Sequence, residues 1–489
     1  MTALDEKPAD APPVSDGLPD GFQVQIDMRC ARDGDLRYLV GGSPTRLLRM
    51  SDAALGMTSD DGRIAVCDNA TRRLARSLLD AGIANPRPMF GPQADDVTIV
   101  VPVRDNQAGV DRLLHAVRGM RVIVVDDGSA RPISVDAPGV TVIRSEVNRG
   151  PSAARNTGAA AATTEFVAFL DSDVVPSVDW LTVLLGHFSD PTVAVVAPRI
   201  VGLSWTVAAS ETASARAGLA ERYENGWSSL DMGPEESAVV PATATPYVPS
   251  AAMVVRRSVF CGFDESLRVA EDVDVCWRMH AAGWRIRYDP VARVAHDHRT
   301  DMRSVLSRRR FYGTGAAHLA QRHGDRAAPV VMSIPMAVAV AALLTRTRIG
   351  AAIAMIILSG VAIRLRRRLG DLPSAPLVAA QMTGRAAGFG LLQAAGAICR
   401  HYWPVAVILA ICSARFRRLA IEVAVAEGVV SWVRQVIADP ATPTLGPVRY
   451  LLMHRLDDLA YGTGLWQGVV TARDVGALRP VLAAMIAAR

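Results

Sequence analysis

Between residues 97 and 198 the chain repeats one pattern: a short apolar run, then a stretch of helical period. The runs are VTIVVPV, RVIVVDDGS, VTVIRSEV, FVAFLDSD and VAVVAP. Apolar strands that alternate with helices dictate an α/β domain built on a parallel sheet, with helices covering both faces. Ligands of such sheets bind beyond the carboxyl ends of the strands. Acids stand at two of these ends, Asp126–Asp127 and Asp171–Asp173.

The D-x-D pattern occurs three times, and context separates the copies. Asp33 and Asp35 flank a glycine in what reads as a hairpin turn, where solvation explains them. Asp272 and Asp274 fall in a helical stretch, where residues two apart diverge. Asp171 and Asp173 end a strand, where residues two apart share a face and can meet one ligand. Two hard oxygen donors suit Mg2+ or Mn2+, and burying such acids unpaired is otherwise costly.

Other stretches add chemistry to the same sheet edge. Asp126 and Asp127 precede Gly128–Ser129 and can accept hydrogen bonds from a ribose or a uracil; a plain Asp-Gly turn is the structural alternative. In NRGPSAARNTGAAAA, Gly150–Pro151 opens a helix whose N-terminus, with Arg149 or Arg155, can offset phosphate charge; taken alone it reads better as a buried Ala-rich helix. VAEDVDVCWRMHAAGW sets Glu271–Asp272 at a helix start with Gly283 as its stop. Acids favour helix N-termini in any case, but one here can also serve as a general base. RVAHDH supplies His296 and His298, either of which can complete a metal shell.

The flanks differ in character. Residues 1–20 carry Pro and acids without an apolar segment, as expected of a disordered tail and not of a signal peptide. Residues 21–92 hold two strands, FQVQID and RYLVGGSP, with Ser43–Pro44 suited to start a helix. A second helix, NATRRLARSLLDAG, turns Leu74, Leu78 and Leu79 inward and stops at Gly82. These parts fit a small winged-helix module, and Pro86, Pro88 and Pro92 mark a linker. Arg72, Arg73 and Arg76 would suit DNA, but fusion to a chain with membrane-type apolar segments argues against a nucleic-acid partner. An exposed edge of FQVQID or RYLVGG would suit an extended peptide instead.

Residues 327–414 are expected to be membrane helices, with apolar stretches at 327–345, 349–363 and 402–414. Arg364, Arg366–Arg368, Arg415, Arg417 and Arg418 flank two of them. Mean hydropathy is +0.21 and net charge +5, a balance that suits anionic lipid headgroups. Residues 415–489 return to an amphipathic pattern. The six cysteines have no C-x-x-C spacing, as free thiols of a reducing compartment would not, so the soluble parts are expected in the cytoplasm.

In their order, VVPVRD, VVDDGS, NRGPSAARNTG, FLDSD, EDVD and VAH resemble the family-2 inverting glycosyltransferases of the GT-A fold. The likeness spans residues 96–322, and a GT-A domain is expected over 95–322. It implies donor contacts from Pro102, Arg104, Asp126, Asp127, Arg149, Arg155, Asp171 and Ser172, and an acceptor contact from Glu271. It further implies Asp272 as catalytic base and a Mg2+ or Mn2+ ion on Asp171, Asp173 and His296. RRRFYGTG stands where many relatives carry Q-x-x-R-W, which weakens any likeness to processive synthases. The N-terminal module is similar to the PqqD-like peptide-recognition fold. The whole architecture resembles the mycofactocin-system glycosyltransferases, which implies a UDP-sugar donor, UDP-glucose, and β-1,4-linked transfer to a peptide-derived redox cofactor at the cell membrane. A polyprenyl-phosphate or cell-envelope glycan glycosyltransferase and a non-catalytic peptide-binding scaffold are the alternatives.

Overall fold

The alternation in FQVQID sets strand β1 (Gln23–Ile26), with Val24 and Ile26 buried and the glutamines half-exposed. The computed structural model describes residues 17–32, 36–43, 45–87, 90–203, 218–298, 301–370, 372, 374–440 and 445–483; Asp33, Asp35, Pro44 and Pro88 lie outside them. After β1 come β2 (Ala31–Arg32), β3 (Tyr38–Gly41), β4 (Arg46–Arg49), helix α1 (Asp52–Gly56), β5 (Arg63–Ala65), α2 (Asn69–Asp80) and β6 (Ala84–Pro86). They form two antiparallel sheets, ordered β5-β1-β6 and β2-β3-β4. Two expectations fail here. The helix foreseen at Ser43 is strand β4, and the helix begins only at α1, whose N-cap Ser51 accepts from the Ala54 N–H. Both strands foreseen as free edges, β1 and β3, are central strands with a neighbour on each side. Helix α2 folds as read: Asp68 and Thr71 form a reciprocal cap, and Leu78 and Leu79 are buried.

The apolar runs build one nine-stranded sheet. Its elements are β7 (Val97–Val103), α3 (Gln107–Ala116), β8 (Arg121–Asp127), β9 (Val140–Ser145), α4 (Pro151–Ala161), β10 (Phe166–Leu170) and β11 (Val174–Pro176). There follow α5 (Trp180–Gly186), β12 (Val193–Gly202), α6 (Leu219–Gly226), β13 (Ser237–Ala238), β14 (Ala252–Arg256), α7 (Glu271–Ala281) and β15 (Arg285–His296). The order is β11-β15-β12-β14-β10-β7-β8-β9, with β13 on β15. Strands β10, β7, β8 and β9 are parallel, as their both-faced apolar character requires. Strand β14 runs antiparallel to both β10 and β12, so the sheet is mixed and not purely parallel. Helix α4 lies so close to β7 that a Cβ at Gly158 would collide with Val100.

The N-terminal module is docked on this sheet through charge. Arg76 on α2, read above as a nucleic-acid contact, is buried and donates to both carboxylate oxygens of Asp190, at 2.7 and 2.8 Å. Burial alone would raise the Asp190 carboxyl, but the Arg76 hydrogen bonds and charge hold it below the usual range. Arg285 binds Asp80 with two hydrogen bonds of 2.7 Å. Glu236 accepts from Arg87 and from Arg287, and Arg287 also donates to Asn85 at 2.7 Å. Ser43 Oγ accepts the Ala244 N–H.

The chain divides after residue 299 into two compact units, and α8 (Met302–His323), which carries RRRFYGTG, belongs to the second. Beyond it come β16 (Val331–Ser333), α9 (Ile334–Leu344), α10 (Arg348–Leu369), α11 (Ala375–Gly396), α12 (Trp403–Cys412), α13 (Ala414–Ala438), α14 (Pro447–Ala472) and β17 (Val481–Ala483). Strand β17 pairs in parallel with β16. Helices α8 and α14 meet through glycines: a Cβ at Gly313, Gly464 or Gly468 would strike the facing backbone. The stretch 327–345 is not one span, because β16 interrupts it and α9 has only 11 residues. Among the described residues one helix, α10, is long and apolar enough to cross a membrane. Helices α11 and α12 pass that test only as a pair, bent by 87°.

Candidate active site

The acids foreseen at the strand ends divide into structural and available groups. Asp126, one residue before the end of β8, is fully buried and accepts from the Ser129 and Ile133 N–H groups and from Arg144. These contacts fold the 126–133 turn and leave its side chain unexposed. Asp127 accepts the Arg149 and Gly150 N–H groups, at 2.8 and 2.7 Å, and so ties β8 to the start of α4. Pro102 and Arg104 stand at the end of the adjacent β7; Arg104 lies 3.6 Å from Asp105.

The Asp171–Asp173 segment is a turn and not a strand, since β10 stops at Leu170 and β11 starts at Val174. The shared-face argument therefore does not hold, and the two carboxylates go different ways. Asp171 accepts from Arg155 Nη2 at 2.6 Å. Asp173 faces His296 Nε2 at 3.5 Å, because β11 pairs with β15 and sets Val174 opposite His296. Ser172 accepts from the Asn106 amide through its hydroxyl at 3.1 Å, and a Cβ at Gly109 would strike the Ser172 carbonyl. The turn is thus clamped from α3, a contact that Asn106 and Gly109 did not advertise in sequence.

Arg155 joins the two halves of the site. It is buried, donating to Asp171 and, at 3.3 Å, to Glu271, with its guanidinium over the Phe263 ring. A guanidinium so engaged is a bracket for two carboxylates and not the free phosphate cation foreseen. Glu271 and Asp272 open α7, preceded by Ala270 in the left-handed region at φ 65°. Asp274 turns away, as helical spacing requires, and is fully buried against Arg278. Burial, and next the charge of Glu271, push the Asp272 carboxyl up to about 7, although it accepts the Val273 and Ser250 N–H groups. A carboxylate titrating near neutrality suits a general base.

The residues fit a divalent cation at one end. Asp173 Oδ1 is buried with no hydrogen-bond partner, and burial raises the Asp173 carboxyl despite the neighbouring imidazole. A carboxylate oxygen without a partner beside a histidine is a donor pair that a divalent cation can use. Asp171 is drawn to Arg155 and does not converge with them. Among the described residues two clusters hold three ligand atoms within 4.8 Å of one another, His187–Glu236–Asp289 and Glu427–His454–Asp458. Arginines already fill them: Arg87 and Arg287 on Glu236, and Arg455 on Glu427 and Asp458.

Comparison with known proteins gives the class. The Glycosyl transferase family 2 model matches residues 98–261, from β7 to just past β14. A curated relative, the pre-mycofactocin glycosyltransferase of Mycobacterium tuberculosis, is 49% identical over 474 residues, 95% of this chain and 98% of its own. A putative polypeptide N-acetylgalactosaminyltransferase 10 of Drosophila melanogaster is 26% identical, over 43% of this chain and 37% of its own. Among solved structures, a mannosyltransferase from Pyrobaculum calidifontis with GDP-Man and Mn2+ covers 63% of this chain and 88% of its own, at 18% identity and a TM-score of 0.34. The chain belongs to the family-2 glycosyltransferases and, within them, to the family of the pre-mycofactocin glycosyltransferases.

Proposed function

We infer that this enzyme transfers glucose from UDP-glucose to pre-mycofactocin, forming β-1,4 linkages by one in-line displacement that inverts the anomeric centre. The observation that carries the reading is the pairing, through Arg155, of the Asp171–Asp173 turn with the Glu271–Asp272 helix start. Asp272 takes the proton of the attacking hydroxyl, and Glu271 stands beside it toward the acceptor. Asp127 and the residues that end β7 bound the nucleoside end, and Asn106 fixes the turn that bears Asp173. A Mg2+ or Mn2+ ion on Asp173 and His296 would offset charge on the diphosphate leaving group.

The PqqD-like reading of residues 21–92 assigns the acceptor's peptide character to a different edge than first expected. The pairs Leu39–Leu48 and Gly41–Arg46 leave the Leu47 and Arg49 backbone groups pointing away from β3. Strand β4 is therefore where an extended peptide can add. The second unit supports a membrane location with the transferase in the cytoplasm. Between residues 345 and 418 eleven arginines face one aspartate, and Ile349, Ile356, Ile408 and Ile411 are exposed.

The test is to give the purified full-length protein UDP-glucose and pre-mycofactocin, then measure UDP release and the anomeric configuration of the product. A β-glucoside is expected, and an α-linked product overturns the mechanism. Product that partitions into the organic phase of a membrane assay would favour the polyprenyl-phosphate alternative; no UDP release with any acceptor would favour the scaffold. Leu47→Pro removes one outward N–H of β4 and should raise acceptor KM while sparing UDP-glucose hydrolysis.

A further inference from the structure

RVAHDH leaves either histidine free to complete a metal shell, but the geometry gives the two rings different parts. The register of the sheet sets His296 opposite Val174 of β11 on one side and Gly202 of β12 on the other. The His296 ring turns Nε2 toward Asp173 at 3.5 Å and Nδ1 toward His298 Nδ1 at 3.1 Å. The ring centroids stand 5.0 Å apart, with the planes tilted by 44°. Two ring nitrogens at 3.1 Å make a hydrogen bond, so one ring carries a proton on Nδ1 and the other offers a lone pair there.

The acid beside them says which ring donates. A cation shared by Asp173 and His296 uses the Nε2 lone pair of His296, which leaves the proton of that neutral ring on Nδ1. That proton meets His298 Nδ1, which must accept it. His298 then carries its own proton on Nε2 and has no lone pair left for the same cation.

The surroundings hold His298 in this pose. It is 9% exposed, whereas His296 is half-buried. A Cβ at Gly202 would strike Asn225 Oδ1 and come within 3.1 Å of His298 Cδ2, so β12 ends in a glycine where ring and amide need the room. The residue between the histidines is tied down as well. The Asp297 N–H donates to the Asp173 carbonyl at 2.9 Å, and the Asp297 carboxylate accepts from Arg112 at 3.0 Å.

We propose that His298 is a positioning residue that accepts the Nδ1 proton of His296 and so fixes the tautomer and ring angle presenting Nε2 to the cation. The proposal rests on the reading of Asp173 and His296 as the ligands of that cation.

The test compares the full-length wild type with His298→Phe, which keeps a ring and loses the acceptor, and His298→Asn, whose Oδ1 falls near the place of the lost Nδ1. Mn2+ binding is followed by the EPR signal of the free ion. His298→Phe should weaken Mn2+ by about 10- to 100-fold, and His298→Asn should recover most of the loss. In the metal-free proteins at about pH 8, nitrogen NMR of labelled histidines should find His296 protonated on Nδ1 in the wild type and in His298→Asn. In His298→Phe the proton should move to Nε2, the form that a histidine without such a partner favours. Wild-type Mn2+ affinity in His298→Phe overturns the proposal. So does His298→Asn binding as weakly as His298→Phe, which would make His298 a ligand or a part of the fold. A wild-type protein that binds no Mn2+ removes the cation reading, whereas His296 protonated on Nε2 in the metal-free wild type removes the positioning role by itself.

Discussion

Strand β15 has two ends, and they treat charge in opposite ways. At about 3.3 Å per residue its 12 residues separate Arg285 from His296 by about 36 Å. At the Arg285 end nearly every charge is answered: Arg285 by Asp80, Arg287 by Glu236, Arg76 by Asp190, and His187 by Asp289 at 2.9 Å. At the His296 end Asp173 keeps an oxygen with no partner, and across the site Asp272 is held near neutrality by burial and a like charge. Paired charges fix where parts of the chain sit. Charges left unmet are expensive, and a fold keeps them where a ligand or a proton transfer will meet them.

Substitutions at the two ends should therefore fail differently. The largest effect is expected at Asp173. Asp173→Ala should abolish transfer while leaving the melting temperature close to wild type; a protein that unfolds, or still releases UDP at the wild-type rate, would erase the contrast. Asp272→Asn keeps shape but cannot accept a proton, so kcat should drop by about 10²–10⁴-fold with UDP affinity unchanged. At the other end Arg76→Ala strands Asp190 in a buried site and should cost about 3 kcal/mol in a denaturant titration, with turnover per folded molecule retained.

A smaller effect sharpens the comparison through pH. Below about pH 7 Asp272 takes up a proton and can no longer act as base, so kcat should fall on the acid side with a midpoint near that value. Glu271→Gln removes the like charge and should move this midpoint down. A midpoint that stays put would mean that another group sets the profile. The smallest effect belongs to the half-exposed pair of Arg285 and Asp80: Asp80→Ala should cost under about 1 kcal/mol.

Much of the transferase sheet could be read from the chain, because strands apolar on both faces leave little choice of class. The site was legible in its residue types and less so in its geometry. The turn at Leu170 separates Asp171 from Asp173, and nothing in FLDSD marks where the strand stops. Arg155 looked like a phosphate cation because its partners lie 16 and 116 residues away. The same non-locality hid the pairing of β1 and β3, whose neighbours include β5, β6 and β2. The stretch 327–345 reads as one apolar span, but its first half is drawn into β16 by a strand near the far end of the chain, Val481–Ala483.

The buried Arg76–Asp190 pair has a consequence for inheritance. A chain shortened to begin near residue 95 would strip Asp190 of the bidentate partner that covers it, and Arg285 and Glu236 would each lose a partner as well. The N-terminal module is thus no interchangeable accessory strung on a tether. Exchanging it for that of a relative requires a donor that already brings Arg76, Asp80 and Arg87, or their equivalents, to the same three places. Recombination that splits the gene between these parts should leave survivors only where both sides of the contact travel together.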